Sequence, residues 1–263
     1  MSELLFIGTG GSVATVERDN TSFLLLSREE ALLVDCPGSV IQKLKKARID
    51  PRNVHSMIIT HIHPDHVYGL PSLVHSLMLD KCIIDIYGSD ASVGFCAELL
   101  DLFNLRSEKV KCRVNFIPVK EGERYGITSY LSLSFLKIPH SPSSMAVGFH
   151  LVPEELDVYY SGDTPRYPRL FQREKNLDYL IHDCSAPSRF FAEYPALGSM
   201  HTDSLTLGKL AEEGNVEHLV PCHFFGELDF SIEELENEIR DNYKGKLTMP
   251  SDFSRIPLNK NAT

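Results

Sequence analysis

No apolar run in this 263-residue chain approaches the roughly 20 residues that a membrane-spanning helix needs. The N-terminus also lacks a basic region followed by a signal-like apolar stretch, so a cytoplasmic protein that does not enter the membrane is expected. The six cysteines, Cys36, Cys82, Cys96, Cys112, Cys184 and Cys222, include no Cys-x-x-Cys pair. That spacing argues against a zinc knuckle or a disulfide framework and for mostly buried, reduced thiols. Positive charge is scarce as well: 26 Lys and Arg against 36 Asp and Glu leave a net charge of −10. An extended polyanion would need a local basic track, and Lys43, Lys45, Lys46, Arg48 and Arg106, Lys109, Lys111, Arg113 read as solvated faces or helix ends. Long double-stranded nucleic acid is therefore not an expected partner. Repeats, low-complexity tracts and linkers are missing too. With 43% hydrophobic and 24% charged residues, the expectation is one globular domain over residues 1–263.

The chain does carry a dense group of potential ligands. Thr60-His61-Ile62-His63-Pro64-Asp65-His66 places three histidines and a carboxylate directly after the apolar, β-branched run Val54 to Ile59. Neutral imidazole suits zinc and its first-row neighbours, and a carboxylate adds a harder, charge-neutralising ligand. On a strand, His61 and His63 would point to one face, and a turn at Pro64 would bring Asp65 and His66 around. One metal could take the first pair and a second metal the other.

His-x-His-x-Asp-His after a buried strand resembles the signature of the metallo-β-lactamase superfamily. The resemblance implies an α/β fold, a four-layer αββα sandwich, with metals held by loops at one edge of two facing sheets. It also asks for a His, an Asp and a His downstream, and His140, Asp163 and His223 arrive in that order, each after a strand-like segment. The implied ligand set is His61, His63 and His140 on one metal, and Asp65, His66 and His223 on the other. Asp163 would bridge them. Two divalent ions are implied, Zn²⁺ as the expected metal and Mn²⁺ as the alternative.

Further segments resemble the branch that contains ribonuclease Z and related metal-dependent phosphodiesterases. These are Phe6-Ile7-Gly8-Thr9-Gly10-Gly11-Ser12 with Arg18, Asn20 and Ser22, then Gly162-Asp163-Thr164, Leu180-Ile181-His182-Asp183-Cys184-Ser185, and Met200-His201-Thr202-Asp203. Asp183 stands where that branch has Glu. Two departures limit the match. Only His140 to Asp163 is available for the arm with which ribonuclease Z enzymes hold tRNA, and that span fits two strands and a turn. The cysteine-bound structural zinc of the cyclic-phosphate phosphodiesterases has no counterpart, because no cysteine precedes Cys36.

The implied activity is that of a binuclear metal-dependent hydrolase in which a metal-bridging hydroxide attacks a phosphodiester, either small, cyclic or at an RNA 3′ end. Asp65, His201 and Asp183 are the candidate catalytic residues. His201 would contact phosphate or protonate the leaving alkoxide, with Asp183 orienting it; a His201 that merely caps the following helix is the structural alternative. The substrate is expected to be a small phosphodiester or RNA, and a homodimer covering the cleft is compatible with the resemblance. A ribonuclease Z-type tRNA 3′-processing endonuclease, a thioester or lactone hydrolase, and a binding protein with a vestigial site are the competing readings.

Patterning along the chain predicts strands at Glu3 to Ile7, Ser22 to Leu26, Ala31 to Asp35, Ile83 to Tyr87, Val114 to Val119, Tyr130 to Leu136, Val147 to Leu151 and Leu156 to Tyr160. It predicts helices at Val40 to Ala47 with Ser39 as N-cap, at Ala91 to Phe103, from Ser204 to Glu213 and from Ser231 to Asp241. Val67, Leu70, Leu73, Val74 and Leu77 make one further helix follow the histidine motif.

Overall fold

The computed structural model describes residues 2–27, 30–172 and 177–260. Seven strands form a first sheet: β1 (Ser2–Gly8), β2 (Ser22–Ser27), β3 (Glu30–Val34), β4 (Val54–Ile58), β5 (Ile83–Gly88), β6 (Arg113–Pro118) and, at its edge beside β1, β14 (Arg255–Leu258). A second sheet of seven contains β7 (Arg124–Gly126), β8 (Leu131–Lys137), β9 (Met145–Leu151), β10 (Leu156–Tyr160), β11 (Leu177–Asp183), β12 (Val216–Cys222) and β13 (Lys246–Leu247), in sequential order. Each sheet is half antiparallel and half parallel. β3 through β6 run parallel in the first, and β10 through β13 in the second.

The sequence of β1 explains the layering. Its run of apolar residues serves two cores, because alternate side chains leave opposite faces of a strand. Leu4 and Phe6 enter the core between the sheets, with Phe23, Phe135, Phe149 and Tyr160. Leu5 and Ile7 enter the core beneath the helices α1 (Val40–Lys46), α3 (Leu70–Ser76) and α4 (Asp90–Leu102). The second sheet repeats this. Ile181 faces inward, whereas Leu180 packs with residues of α6 (Ser204–Glu213) and α7 (Ile232–Arg240). The result is helices, sheet, sheet, helices: the expected αββα sandwich.

Local departures from expectation have identifiable causes. The segment after the histidine motif is two helices, α2 (Pro64–Val67) and α3, separated at Tyr68 and Gly69. A Cβ on Gly69 would lie 1.9 Å from the Pro37 carbonyl oxygen, so the chain needs glycine at that approach. Ser39 occupies the N-cap position of α1 without capping it; its hydroxyl donates to Asp19 instead. Strand β7 and the edge strands β13 and β14 carry too few residues to show a period. Among the described residues, no helix is long and apolar enough to cross a membrane.

Candidate metal centre

The topology delivers polar residues to one edge of the sandwich. Asp35 follows β3, His61 follows β4, His140 follows β8, Asp163 follows β10, Asp183 ends β11 and His223 follows β12. Parallel strands share a direction, so their carboxyl ends lie side by side and their following loops converge there. Asp35 and His223 adopt positive φ values of 58° and 66°, which turn their side chains out of the strand path. Gly162, at φ 60°, makes the turn that presents Asp163.

All seven expected ligands meet. His61, His63, His140 and Asp163 form one group with potential ligand atoms within 4.8 Å of one another, and Asp65, His66, Asp163 and His223 form a second. Asp163 Oδ2 is the common centre, 3.1 Å from His223 Nε2, 3.3 Å from His66 Nε2, 3.8 Å from His61 Nε2 and 3.9 Å from His140 Nε2. His61 and His63 lie in a loop rather than on a strand, and their rings still approach to 4.5 Å between centroids.

Hydrogen bonds behind the histidines fix which nitrogen faces the centre. An ionised carboxylate only accepts, so His66 Nδ1, 2.8 Å from Asp35 Oδ2, carries a proton that it donates. Thr60 Oγ1 donates to the same carboxylate at 2.9 Å and accepts from His61 Nδ1 at 3.2 Å. His140 Nδ1 donates to the Met200 carbonyl at 2.8 Å. In each case Nε2 is the nitrogen turned inward, so that its lone pair faces the centre when the ring is neutral, the second-layer arrangement typical of metal-binding histidines. Sequence reading ended a strand at Asp35 and missed this role. Its only local signal was a polar residue ending an apolar strand.

Whether the residues suit a metal is tested by their unmet polar atoms. His61 Nε2, His66 Nε2, His223 Nε2 and Asp163 Oδ1 are buried without a hydrogen-bond partner, and His140 Nε2 faces His63 Nδ1 at 3.1 Å. Buried polar atoms are normally paired, so convergent unpaired nitrogens and a carboxylate form a donor set that fits divalent cations of the zinc type. The buried carboxylates draw positive charge to the same point. Burial, reinforced by the His66 charge, holds His61 well below the ordinary histidine range. Burial opposes protonation of His66 and His223 as well, yet Asp163 outweighs it, aided by Asp35 at His66, and raises both, His223 to about 10. Burial pushes the Asp65 carboxyl up, but His223 and His66, with Nε2 atoms 3.6 and 3.3 Å from its Oδ2, outweigh that and hold it below the usual carboxylate range.

A third group adjoins these two. His201 Nδ1 lies 2.9 Å from Asp183 Oδ2, and the His201 ring stacks on His223 with centroids 5.1 Å apart. Asp183 is saturated by protein donors: Thr164 N donates to Oδ2 at 3.0 Å and Ser185 Oγ to Oδ1 at 2.7 Å. The helix-capping role considered for His201 belongs to Asp203, whose carboxylate accepts from Thr206 N at 2.8 Å. Cys184 and Cys222 are fully buried beside the site, and burial pushes both thiols well above their usual range.

The family model described as anti-Pycsar protein Apyc1 matches residues 2–205, most of the chain. The chain belongs to the Apyc1 family. It is 28% identical over 281 aligned positions to a ribonuclease Z of Methanosarcina acetivorans, spanning 89% of this chain and 91% of that protein. Among solved structures, the metallo-β-lactamase fold protein YhfI from Bacillus subtilis superposes with a TM-score of 0.80 at 20% identity, covering 97% of this chain and 98% of the other. Human tRNase Z, short form, superposes with a TM-score of 0.77 at 19% identity, covering 97% and 100%. This Apyc1-family chain thus has the metallo-β-lactamase fold and is similar in sequence to ribonuclease Z.

Proposed function

We propose that the protein is a binuclear phosphodiesterase acting on small or cyclic phosphodiesters, with His61, His63 and His140 holding one ion, Asp65, His66 and His223 the other, and Asp163 shared. Zn²⁺ is the metal this nitrogen-rich donor set favours, with Mn²⁺ as the alternative. When bound, such a pair supplies Lewis acidity and brings water toward ionisation near neutral pH.

The observation that carries the reading is the Asp183–His201 pair beside Asp163 and His223. Asp183 accepts the Nδ1 proton of His201, so Nε2 is the nitrogen left for a substrate. A protonated His201 can give that proton to a departing alkoxide, the poorest leaving group in phosphodiester cleavage. The role assigned to Asp65, which lies 3.6 Å from His223 Nε2, is to accept a hydrogen bond from the attacking water. The similarity to ribonuclease Z supports phosphodiester chemistry. Between His140 and Asp163 stand only β9, β10 and the Val152–Glu155 turn, which favours a small substrate over tRNA. A location in the cytoplasm and a homodimer that covers the cleft accord with this reading.

The test is turnover by metal-quantified protein of bis-p-nitrophenyl phosphate, a 2′,3′-cyclic nucleotide, a 3′-extended tRNA precursor and a thioester. Cleavage of the two small phosphodiesters is expected. Cleavage of the tRNA precursor alone would make it a processing nuclease, and cleavage of the thioester alone would replace phosphodiester by carbonyl chemistry.

A further inference from the structure

Away from the metal centre, three adjacent strands of the second sheet carry another chemically suggestive group. Ser134 lies on β8, His150 on β9 and Asp157 on β10. Leu133, Phe135, Phe149 and Val158 fill the core between the sheets, so alternation turns Ser134, His150 and Asp157 to the opposite face. There, Ser134 Oγ is 2.8 Å from His150 Nε2, and His150 Nδ1 is 2.6 Å from Asp157 Oδ1.

The direction of these bonds follows from the carboxylate. Asp157 accepts, so Nδ1 holds the proton of a neutral His150, and Nε2 accepts from the Ser134 hydroxyl. That is the polarity in which a histidine serves as general base to a serine and a carboxylate fixes its tautomer. Glycine at position 148 is needed for the arrangement: a Cβ there would stand 2.7 Å from Ser134 Oγ and 2.4 Å from the Tyr159 ring. His150 is nearly buried, while Ser134 lines a cavity of about 330 Å³ together with Arg124 and Arg169. Arg124 sits opposite Ser134 in the β7–β8 register, which places a cation beside the hydroxyl.

We propose that Ser134, His150 and Asp157 form a second, metal-independent hydrolytic site that takes short-chain carboxylic esters. Ser134 Oγ bonds to the ester carbonyl carbon as its proton passes to His150 Nε2. The bond to the alkoxide breaks as His150 returns that proton to the leaving oxygen. Water then attacks the acyl-serine in the same way, regenerating the hydroxyl and releasing the carboxylic acid. Arg124 offsets the negative charge that develops on the carbonyl oxygen.

The test exposes the full-length protein to a fluorophosphonate probe and maps the modified residue by tandem mass spectrometry, with and without EDTA. Modification of Ser134 in both conditions is expected, far ahead of the exposed Ser12. Labelling should vanish in Ser134→Ala and slow by about 100-fold in His150→Gln, the scale of a general base. No preference for Ser134 over Ser12 in the wild-type protein would overturn the proposal, whatever the variants do. Labelling of Ser134 that EDTA abolishes would also overturn it, by making the hydroxyl dependent on the metal centre.

Discussion

Asp183 joins His201 and His223 through one carboxylate: Oδ2 is 2.9 Å from His201 Nδ1, and Oδ1 is 3.7 Å from His223 Nδ1, with Ser185 Oγ between them at 2.7 and 3.4 Å. The candidate proton donor and a candidate metal ligand are therefore held in register by the same side chain.

Asp183→Asn should lower kcat on a cyclic nucleotide by about 100-fold, the scale of a lost general acid, with KM little changed. The loss on bis-p-nitrophenyl phosphate should be far smaller, since p-nitrophenolate leaves without a proton. His201→Ala should show the same contrast, and the double variant should be no worse than the poorer single one. Equal losses on both substrates would mean that the pair does not protonate the leaving group.

Asp163→Ala removes the carboxylate common to both ligand groups. Turnover should disappear, and metal content by mass spectrometry should fall toward one ion or fewer. A fully active variant with two ions would refute the ligand assignment.

Asp35→Asn tests the layer behind the ligands. Asparagine tolerates the positive φ at this position, so the backbone has little reason to change. What is lost is the carboxylate that orients His66 directly and His61 through Thr60. Metal affinity, measured by competition with a chelating dye, should weaken by about 10- to 100-fold. Unchanged affinity in a folded variant would show that the inward lone pairs need no such support.

His218 gives a stability prediction distant from the chemistry. It is buried, its Nε2 is 2.8 Å from Thr248 Oγ1, and burial together with Lys246 lowers its pKa from 6.5 to about 4. On acidification the unfolded chain takes up this proton first, so the stability His218 contributes above pH 6.5 is lost as pH falls from 6.5 toward 4. His218→Gln should therefore lose less Tm than the wild type between pH 7 and 5. Parallel Tm curves would contradict it.

The sequence made the centre legible because four of the seven candidate ligands fall within six consecutive residues, and the others follow strands with clear apolar patterns. Asp35 was not legible as a partner of His66, because the two are 31 positions apart and meet only when β3 pairs with β4. The break between α2 and α3 was hidden for a similar reason. Apolar spacing continues across Tyr68 and Gly69, while the close approach of the Pro37 carbonyl to Gly69 arises only in the folded chain. The Ser134, His150 and Asp157 group is wholly a product of strand register, with no spacing that marks it.

The central claim is that two ions held around Asp163 support phosphodiester cleavage. Its most direct test is to titrate Zn²⁺, and separately Mn²⁺, into chelator-stripped protein while following hydrolysis of a 2′,3′-cyclic nucleotide. Activity that rises to a plateau at two equivalents of bound metal is the predicted result. Cleavage by the stripped protein at the same rate, or none at two bound equivalents of either metal, would contradict it.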